Sequence, residues 1–597
     1  MIKDDQIYID CLPEWAREFS KKYCSKTANL YCIHGNVRDF LPHRAYKGVF
    51  SFVKITDYVS DVIFGNKDII VFFDYSCGIT FSFVDMMIEY ITVMHKMYKD
   101  VPSEDFISRD PTKAFFYIEK YFTYVINKNA EKYYKGDISV KPSTRMVLII
   151  DYAETVVPND EIQNLNTADR YSLVTIHRWA EEPLFTREDV SIVMIAQNLS
   201  DINKRIVSSP SIIKIYIPFP NMEERFQFLT YLSKRENSED ILLTTDRSLN
   251  ISKMTALTAG LNLSHLYQMV AEATQEDESI TRDFLIKRKE EIIETEAAGL
   301  LEFVNIEYGL DFVVCSTFVK KRFFEAIRAI SQGMYEALPM GYLIVGPIGT
   351  GKSFLVSAFA NEIGIPMVRL KNFSSQWEGT KESNLEHVIG ILKAMSPVAV
   401  MIDEADIVLG NRQSKDINDA SGKIFAQIAA FMGDTQYRGR IIWFLITSRP
   451  DLLPVDLKRQ GRAEEHLALF YPESIEEKAL IFETMQKKLH IKTTGVVFKD
   501  IVKKITFEVS GADLEAILVR AKMNAIMSQR NMVTKEDILK TIQDFIPPSY
   551  PYEIELQNLV ASIECTSKEM VPRKYRDMSR QKILSEIMEI KQILGEK

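Results

Sequence analysis

An octapeptide in the second half of the chain has the residue types and the spacing that bind a triphosphate. Its residues are Gly346, Pro347, Ile348, Gly349, Thr350, Gly351, Lys352 and Ser353. They match the pattern G-x-x-x-x-G-K-[ST], in which glycines let backbone N–H groups surround the phosphates. In that pattern Lys352 reaches the outer phosphates and the Ser353 hydroxyl holds Mg²⁺. The sequence therefore predicts a nucleotide site that uses Mg²⁺.

The segments on either side of the octapeptide are those that such a loop requires. Residues 342–345 form an apolar run that predicts a buried strand, and residues 354–363 predict a helix. A loop that joins a strand to a helix brings the phosphates to the helix N-terminus, where the helix dipole attracts anions. Phe354, at the start of this helix, is a further candidate for contact with the nucleotide.

Two adjacent carboxylates end a second apolar strand, residues 398–402, and follow Ser353 by 50 residues. Asp403 at the strand end can bind Mg²⁺ beside Ser353, usually through water. Glu404 can polarise the attacking water as a general base. Two solvent-facing carboxylates at a strand end are the alternative interpretation, which the preceding phosphate loop makes the weaker one.

Polar residues after a third strand, 441–446, extend the same site. Ser448 is placed to sense the γ-phosphate from the end of that strand. Arg459 and Arg462 follow, and an arginine is suited to spreading the charge that develops on the γ-phosphoryl group. Both lie far in sequence from their own phosphate loop, so we expect them to act on the nucleotide of a neighbouring subunit. Arginines in surface ion pairs are the alternative.

The chain repeats its own plan. Each copy has an aspartate that ends an apolar strand, a proline at the entry to a helical segment, and a glycine within that segment. These landmarks are Asp151, Pro220 and Gly260 in the first copy and Asp403, Pro472 and Gly511 in the second. Their spacings are 69 and 40 residues in the first copy and 69 and 39 in the second. The pattern indicates a duplicated α/β unit, each copy followed by a helical lid.

The first copy lacks the residues that would bind a triphosphate and activate water. Its opening strand, predicted at 30–33, is followed by His34, which we interpret as a turn histidine, and no G-K-[ST] occurs in the first 300 residues. Tyr152 stands where a catalytic glutamate would follow Asp151. A mostly helical block at about 81–135 separates its early strands. We therefore expect this copy to bind no triphosphate and to serve as a scaffold or docking module.

With these motifs in place, residues of about 303–545 resemble an ATPase domain of the AAA clade of the AAA+ superfamily. The matching segments are the loop ending in Lys352 and Ser353, the string Asp403 to Asp406, "TSRP" at 447–450, "LKRQGR" at 457–462 and "SGADL" at 510–514. The string Asp-Glu-Ala-Asp also occurs in DEAD-box helicases. The arginine segment and the lid signature favour the AAA clade. The first half resembles the superfamily only by its spacings and its lid entry.

The resemblance implies ATP and Mg²⁺ as cofactors, with Asp403 as a Mg²⁺ ligand and Glu404 as the catalytic base. It also implies that Arg459 and Arg462 are arginine fingers. Family members usually have asparagine at the place of Ser448, whose shorter side chain predicts weaker sensing of the γ-phosphate.

Further candidates follow from the resemblance. Gly309 lies where such domains close over adenine, and Gly511 and Ala512 open the lid signature. Trp377 and Gly379 match the aromatic residue and the glycine of a pore loop that grips a threaded polypeptide, although Glu378 replaces the usual aliphatic residue. Packing of Trp377 in the subunit core is the alternative.

The predicted fold class is α/β: two tandem AAA+ α/β/α sandwiches, each followed by a helical lid, the first lacking a phosphate loop. The predicted domains are 1–220 (degenerate α/β domain), 221–298 (first lid), 299–335 (connector), 336–471 (active ATPase domain), 472–546 (second lid) and 547–597 (C-terminal helical extension).

Composition narrows the class of protein. The net charge of −9, with a pI of about 5.7, disfavours general nucleic-acid binding. Six cysteines without a C-x-x-C pair disfavour a zinc site or a disulfide framework and are typical of a reducing cytosol. No apolar run approaches the length of a membrane span and no signal peptide is seen. We expect a cytoplasmic protein without membrane contact.

The function predicted from these observations is an ATP-hydrolysing ring, expected to be a homo-hexamer, that remodels, unfolds or disassembles a protein partner. The alternative is a nucleotide-dependent switch or scaffold of a larger complex that threads nothing. A nucleic-acid motor or loader is the third reading, disfavoured by the acidic balance.

Overall fold

The computed structural model describes residues 12–44, 50–134, 144–233, 243, 245, 249–275, 279–304, 308–371, 381–409, 420–546 and 550–596. The chain divides into two compact units. The first unit comprises Met1–Ile292 with Glu382–Ala394, and the second comprises Ile293–Lys381 with Met395–Lys597. Among the described residues no helix is both long and apolar enough to cross a membrane.

A six-stranded sheet lies at the centre of the first unit. In sheet order its strands are β5 (Gly78–Phe81), β4 (Ile69–Asp74), β6 (Met146–Ile150), β7 (Val190–Ile195), β1 (Leu30–Gly35) and β8 (Ile212–Ile217). All neighbouring pairs are parallel except β4 and β5, which form an antiparallel hairpin. Strands β6 and β7 are buried along their whole length, as in parallel sheets covered by helices on both faces.

Alternate residues of β6 enter two separate cores, because successive side chains of a strand point to opposite faces of the sheet. Val147 and Ile149 pack in one cluster with Trp15 and Phe19 of the first helix. Met146, Leu148 and Ile150 pack in a second cluster that includes Phe115 and Trp179.

The helices of the first unit cover these two faces and form its lid. They are α1 (Glu14–Cys24), α2 (Ile55–Tyr58), α3 (Val84–Met97), α4 (Ser103–Phe106), α5 (Pro111–Tyr134), α6 (Ala153–Val156), α7 (Thr167–Glu181), α8 (Pro183–Arg187), α9 (Lys204–Val207), α10 (Met222–Leu232), α11 (Ile251–Leu257), α12 (Leu263–Gln275) and α13 (Arg282–Glu296). A small hairpin, β2 (Leu41–Arg44) and β3 (Phe50–Val53), completes the unit. The predicted helical block at 81–135 is confirmed as α3 to α5.

One local prediction in this unit is wrong. His34 lies within β1, paired in register with Tyr216 of β8, and not in a turn after the strand. Backbone pairing continues to Gly35, because β8 extends alongside as far as Ile217. The His34 ring packs against the Tyr216 ring with centroids 5.4 Å apart.

The second unit is built on a sheet of the same plan. In sheet order its strands are β14 (Glu465–Ala468), β10 (Gly341–Val345), β13 (Ile441–Thr447), β12 (Val398–Ile402), β11 (Met367–Leu370) and β9 (Leu301–Phe303). All neighbours are parallel except β9, which is antiparallel to β11. The five parallel strands have the same chain order across the sheet as those of the first unit, which confirms the shared plan of the two α/β copies.

The helices from residue 317 onward complete the second unit, except one that belongs almost entirely to the first. They are α14 (Thr317–Ser331), α15 (Lys352–Ile363), α16 (Lys381–Met395, almost all in the first unit), α17 (Ala405–Leu409), α18 (Ala420–Met432), α19 (Ile475–Lys488), α20 (Phe498–Val502), α21 (Gly511–Met527), α22 (Lys535–Asp544), α23 (Pro551–Glu564), α24 (Arg573–Arg576) and α25 (Arg580–Leu594). Helices α19 to α22, with the short pair β15 (Thr493–Thr494) and β16 (Val533–Thr534), form a lid with its own core.

Both lids begin in the same way. The first helix of each starts with a capping box, in which an N-cap side chain and the glutamate three residues later satisfy each other's backbone N–H groups. The pairs are Asn221 with Glu224 at α10 and Ser474 with Glu477 at α19. The sequence-predicted lid entries after Pro220 and Pro472 are therefore set by equivalent local signals.

Candidate functional site

The phosphate loop runs from the buried strand β10 to helix α15. Gly346, Gly349 and Gly351 have φ angles of +140°, +83° and +81°, which strongly favour glycine. At Gly346 a Cβ atom would also lie 1.9 Å from the carbonyl oxygen of Leu469. The glycines of the motif are therefore required by the backbone path, which turns the loop N–H groups toward the start of the helix.

Lys352 lies inside this loop. Its Nζ donates hydrogen bonds to the carbonyl oxygens of Gly346 and Pro347, at 2.8 and 3.0 Å. Burial lowers the pKa of Lys352 to about 8, although the carboxylates of Asp403 and Asp406 partly oppose the shift. Phosphate oxygens are stronger acceptors for an ammonium group than neutral carbonyls, so the side chain is suited to exchange them for a bound phosphate.

Ser353 and Asp403 meet, although 50 residues separate them in sequence. The Ser353 Oγ donates a 2.7 Å hydrogen bond to Oδ2 of Asp403. Asp403 follows strand β12 and lies at the edge of the sheet where β10 leads into the loop, because the carboxyl ends of parallel strands share one edge. A hydroxyl and a carboxylate are hard oxygen ligands, and Mg²⁺ is commonly held by one or two such protein groups together with substrate phosphates. The donor set therefore fits Mg²⁺.

Glu404 follows with an exposed side chain and a strained backbone. Its φ angle is +49°, and its N–H donates to Oδ1 of Asp403 at 3.0 Å. A non-glycine residue in the left-handed region is uncommon and is often found at functional sites. The conformation turns the chain from β12 into α17 immediately beside the Ser353–Asp403 pair.

At the end of β13, Thr447 is hydrogen-bonded next to Ser448, whose role in sensing the γ-phosphate stays a prediction. The Thr447 Oγ1 donates to Oδ1 of Asp406 at 2.6 Å and accepts from the N–H of Arg449 at 2.8 Å. Ser448 is half-buried beside it. The sequence interpretation missed Thr447 because a buried threonine at the end of an apolar strand resembles any β-branched core residue.

The two arginines lie on the segment between β13 and β14. Arg459 is exposed, and Nη1 of Arg462 donates to the carbonyl oxygen of Asp456 at 2.7 Å. Neither belongs to the wall of the cavity beside the phosphate loop of its own chain. Their role as arginine fingers for a neighbouring subunit stays a prediction.

A cavity of about 940 Å³ opens beside the loop. Its wall includes Gly349, Thr350, Gly351 and Phe354, together with Gly511 and Ala512 of the lid. The N–H of Ala512 donates to the carbonyl oxygen of Gly349 at 3.3 Å, so the lid helix α21 begins directly on the phosphate loop. These residues, separated by more than 150 positions, were predicted as nucleotide contacts.

The remaining wall of the cavity is apolar and aromatic. Phe312 and Val314 contribute to it, whereas the predicted Gly309 does not. Gly309 lies instead beside the far end of α15, since a Cβ atom there would be 2.9 Å from Oε2 of Glu362. The Lys488 Nζ lies 5.0 Å from the centre of the Phe354 ring, on the lid side of the cavity. Lys488 was missed because a lysine near a helix C-terminus is ordinary.

Comparison with protein families assigns three parts of the chain. Residues 5–218 match the model of the "AAA+ chaperone, N-terminal Rossmann-like domain", and residues 223–298 match the "AAA+ chaperone, second helical domain". Residues 342–471 match the "ATPase family associated with various cellular activities (AAA)". The chain belongs to the AAA+ superfamily.

Curated AAA+ relatives are similar at low identity. The uncharacterized AAA domain-containing protein ycf46 of Gracilaria tenuistipitata var. liui is 26% identical over 388 residues, 61% of this chain and 76% of that protein. The Cell division cycle protein 48 homolog of Archaeoglobus fulgidus is 26% identical and aligns with 40% of this chain and 36% of its own. The Proteasome-activating nucleotidase of Pyrococcus abyssi is 28% identical, over 34% of this chain and 52% of its own.

The first AAA+ unit has the geometry of the site with different side chains. Tyr152 has a φ angle of +51°, and its N–H donates to Oδ1 of Asp151 at 2.8 Å, as Glu404 does to Asp403. In place of a serine hydroxyl, Asp151 accepts two bonds from Nη1 of Arg38, at 2.8 and 3.0 Å. The Arg38 guanidinium also lies 3.7 Å from the centre of the Tyr152 ring. The carboxylate that could hold a metal is thus paired with a cation of its own chain.

The predicted pore-loop residues of the AAA domain, Trp377 and Gly379, lie outside the described residues, in the segment 372–380. Their role stays a prediction.

Proposed function

We propose that this AAA+ protein is an ATPase whose catalytic site lies in the second unit and whose work is to remodel, unfold or disassemble a protein partner. The observation that carries the proposal is the 2.7 Å hydrogen bond between Ser353 and Asp403, with Glu404 beside it. That contact joins the phosphate loop, whose residues Gly349 to Gly351 line the cavity, to the acidic strand end. The names of similar proteins, a Proteasome-activating nucleotidase among them, support a protein as the partner on which this ATPase acts.

The chain's own residues divide the reaction among them. The loop N–H groups and Lys352 would bind the phosphates, and Ser353 and Asp403 would hold Mg²⁺, which would neutralise charge on the phosphates. Glu404 takes the proton of the attacking water, and ADP and phosphate are the products. Opening and closing of the lid on the loop, through the contact of Ala512 with Gly349, would convert turnover into movement.

We propose that the active form is a homo-hexameric ring in which Arg459 and Arg462 of one subunit complete the site of the next. The exposure of Arg459 and its distance in sequence from its own phosphate loop support this arrangement. We also propose a cytoplasmic location, in keeping with the five cysteines of the described chain, which are all free thiols.

Substitution Glu404→Gln tests the assignment of the base. We expect the variant to bind ATP as the wild type does, because the loop, Ser353 and Asp403 are unchanged. Turnover should fall by about 10²- to 10⁴-fold, the usual contribution of a positioned general base. The measurements are phosphate release and titration with a fluorescent ATP analogue. Glu336→Gln, an exposed carboxylate away from the cavity, is the matched control and should hydrolyse normally.

Wild-type turnover by Glu404→Gln would contradict the assignment of Glu404 as the general base. A wild-type protein that binds no ATP would contradict the proposed nucleotide site. The same variant tests the partner class. Held in its ATP state, it should retain a protein that the wild type alters or releases on ATP hydrolysis. Retention of nucleic acid instead, with steep salt dependence, would favour a nucleic-acid motor.

A further inference from the structure

The C-terminal extension, residues 550–596, is attached to the ATPase sheet of the second unit. It has a small core of its own, formed by α23 to α25. It also covers the edge strand β14, where the N–H and Oγ1 of Thr566 donate to the carbonyl oxygen of His466 at 3.2 and 2.9 Å. Covering an edge strand in this way removes unpaired backbone groups. The extension is therefore fixed beside β10, the strand that leads into the phosphate loop.

Helix α23 places one side chain on the phosphate loop itself. Gln557 is 7% exposed, and its Oε1 accepts a 3.1 Å hydrogen bond from the N–H of Ile348. The carbonyl oxygen of Ile348 accepts from the hydroxyl of Tyr471 at 2.9 Å. The residue before it is Pro347, which has no N–H to donate. The outer turn of the loop is thus held on both sides of Ile348 by side chains from outside the motif.

The extension also contacts the other segments of the site. Glu596 pairs with Arg449, and Lys591 pairs with Asp451, both partners being in the segment after β13. Glu564 pairs with Lys458, next to the predicted arginine finger Arg459.

Arg573 and Arg576 contribute to the wall of the nucleotide cavity. The contact of Gln557 is therefore one of several by which the extension meets the site.

We propose that Gln557 is a positioning residue of the ATPase site, which holds the phosphate loop in the conformation that accepts nucleotide. The physical reason is pre-organisation. Loop N–H groups that already point at the phosphate position bind it without first losing conformational freedom. Ile348 is itself 66% exposed, so the bond to a buried side chain on a packed helix supplies the restraint. This inference rests on the proposed ATPase function.

The decisive variant is Gln557→Met, which keeps the length of the side chain and removes the acceptor. We expect the KM for ATP and the Kd for ADP to rise about three- to tenfold, the effect of losing one hydrogen bond of ordinary net strength. The kcat should stay within about twofold of the wild type, because no reacting group is touched. Ser562→Ala, a buried polar truncation on the same helix, is the matched control and should leave both constants unchanged.

Gln557→Glu tests the role of the acceptor directly. The carboxylate can still accept from Ile348, so KM should rise less than in Gln557→Met. If Gln557→Met lowers Tm more than Ser562→Ala does, a raised KM has two explanations, loss of the acceptor and damage to the fold. Gln557→Glu distinguishes them. A KM of Gln557→Glu closer to the wild-type value than that of Gln557→Met supports the proposal. A KM raised as much as in Gln557→Met, with a wild-type Tm, overturns it.

The failure of this inference is distinct from failure of the proposed function. A wild type without ATPase activity would contradict the function whatever Gln557 does. An active wild type, combined with Gln557→Met of unchanged KM and Kd, would overturn the positioning role alone. A fall in kcat at unchanged KM would also overturn it.

Discussion

Asp151 and Asp403 show how one residue type at one place in a fold can have two uses. Each ends a buried parallel strand, and each accepts a hydrogen bond from the N–H of a following residue in the left-handed conformation. Asp403 contacts a serine hydroxyl, whereas Asp151 is neutralised by the guanidinium of Arg38. The neighbouring side chain therefore determines which carboxylate can bind a cation.

Asp39 makes a contact between the α/β part and the lid of the first unit. It is buried, and its carboxylate accepts from the N–H groups of Leu263 and Ser264 at 2.9 and 2.8 Å. It thereby caps lid helix α12 from the segment that follows β1. In the second unit the corresponding place is taken by the phosphate loop, where Gly349 meets Ala512 at the start of α21. The first lid is fixed to its α/β sheet by a carboxylate of the protein.

Substitution Asp39→Ala tests this link at the residue scale. We expect a loss of about 1–3 kcal/mol of local stability, because the buried N–H groups of α12 lose their acceptor. Hydrogen exchange of residues 262–275 should accelerate accordingly. Asp39→Asn keeps one acceptor oxygen and should show a smaller effect. Unchanged exchange in Asp39→Ala would contradict the role of the cap.

At the scale of elements, the C-terminal extension and edge strand β14 meet at a titratable pair. Nδ1 of His466 lies 3.2 Å from the Glu564 carboxylate, which also pairs with Lys458 at 2.9 Å. Burial lowers the pKa of His466, but the hydrogen bond and charge of Glu564 outweigh it, and the pKa is raised overall. The pKa of Glu564 is lowered by His466 and Lys458 in spite of burial.

The pair predicts a pH dependence for this contact. A histidine with a raised pKa contributes stability that is fully present below its unfolded pKa of about 6.5 and is lost as pH rises through the folded value. The Tm difference between wild type and His466→Gln should therefore be largest below about pH 6.5 and shrink at higher pH. Thermal melting of both proteins across that range is the measurement. A difference independent of pH would contradict the charged form of His466.

At the scale of the whole molecule, the described part of the chain contains one phosphate loop, and Arg459 and Arg462 lie outside the wall of the cavity beside it. The two copies of one fold thus differ in the side chains at this place: Ser353 contacts Asp403 in the second, and Arg38 pairs with Asp151 in the first. We interpret the first unit as a scaffold or docking tier of the proposed ring.

Mixing inactive subunits tests whether the site is completed in trans. Arg459→Ala keeps its own phosphate loop, and Lys352→Ala keeps its arginine, so a mixed ring should recover part of the ATPase activity that each lacks alone. Lys352→Ala mixed with Glu404→Gln is the control, because neither subunit has a working site to be completed. Absence of recovery at every ratio, in rings shown by mass to be mixed, would count against fingers in trans.

Much of the second copy could be predicted from the sequence, because its signals are local. Three glycines, a lysine and a serine at fixed spacing determine the loop backbone, and apolar runs determine the strands on either side of it. The strand 398–402 and the carboxylates after it were located in the same way. Equal spacings between landmarks predicted a duplicated α/β unit, and the structure shows that the parallel strands of the two sheets have the same order.

Only the tertiary structure decided which distant residues meet. Arg38 reaches Asp151 across 113 residues, and Gln557 reaches Ile348 across 209. Neither pair has a motif, because an arginine in a loop or a glutamine on a helix has the same local pattern whether or not it finds such a partner. Strand order and the packing of the extension bring these partners within hydrogen-bonding distance. The sequence by itself determined the chemistry of the phosphate loop, and the tertiary structure decided what surrounds and holds it.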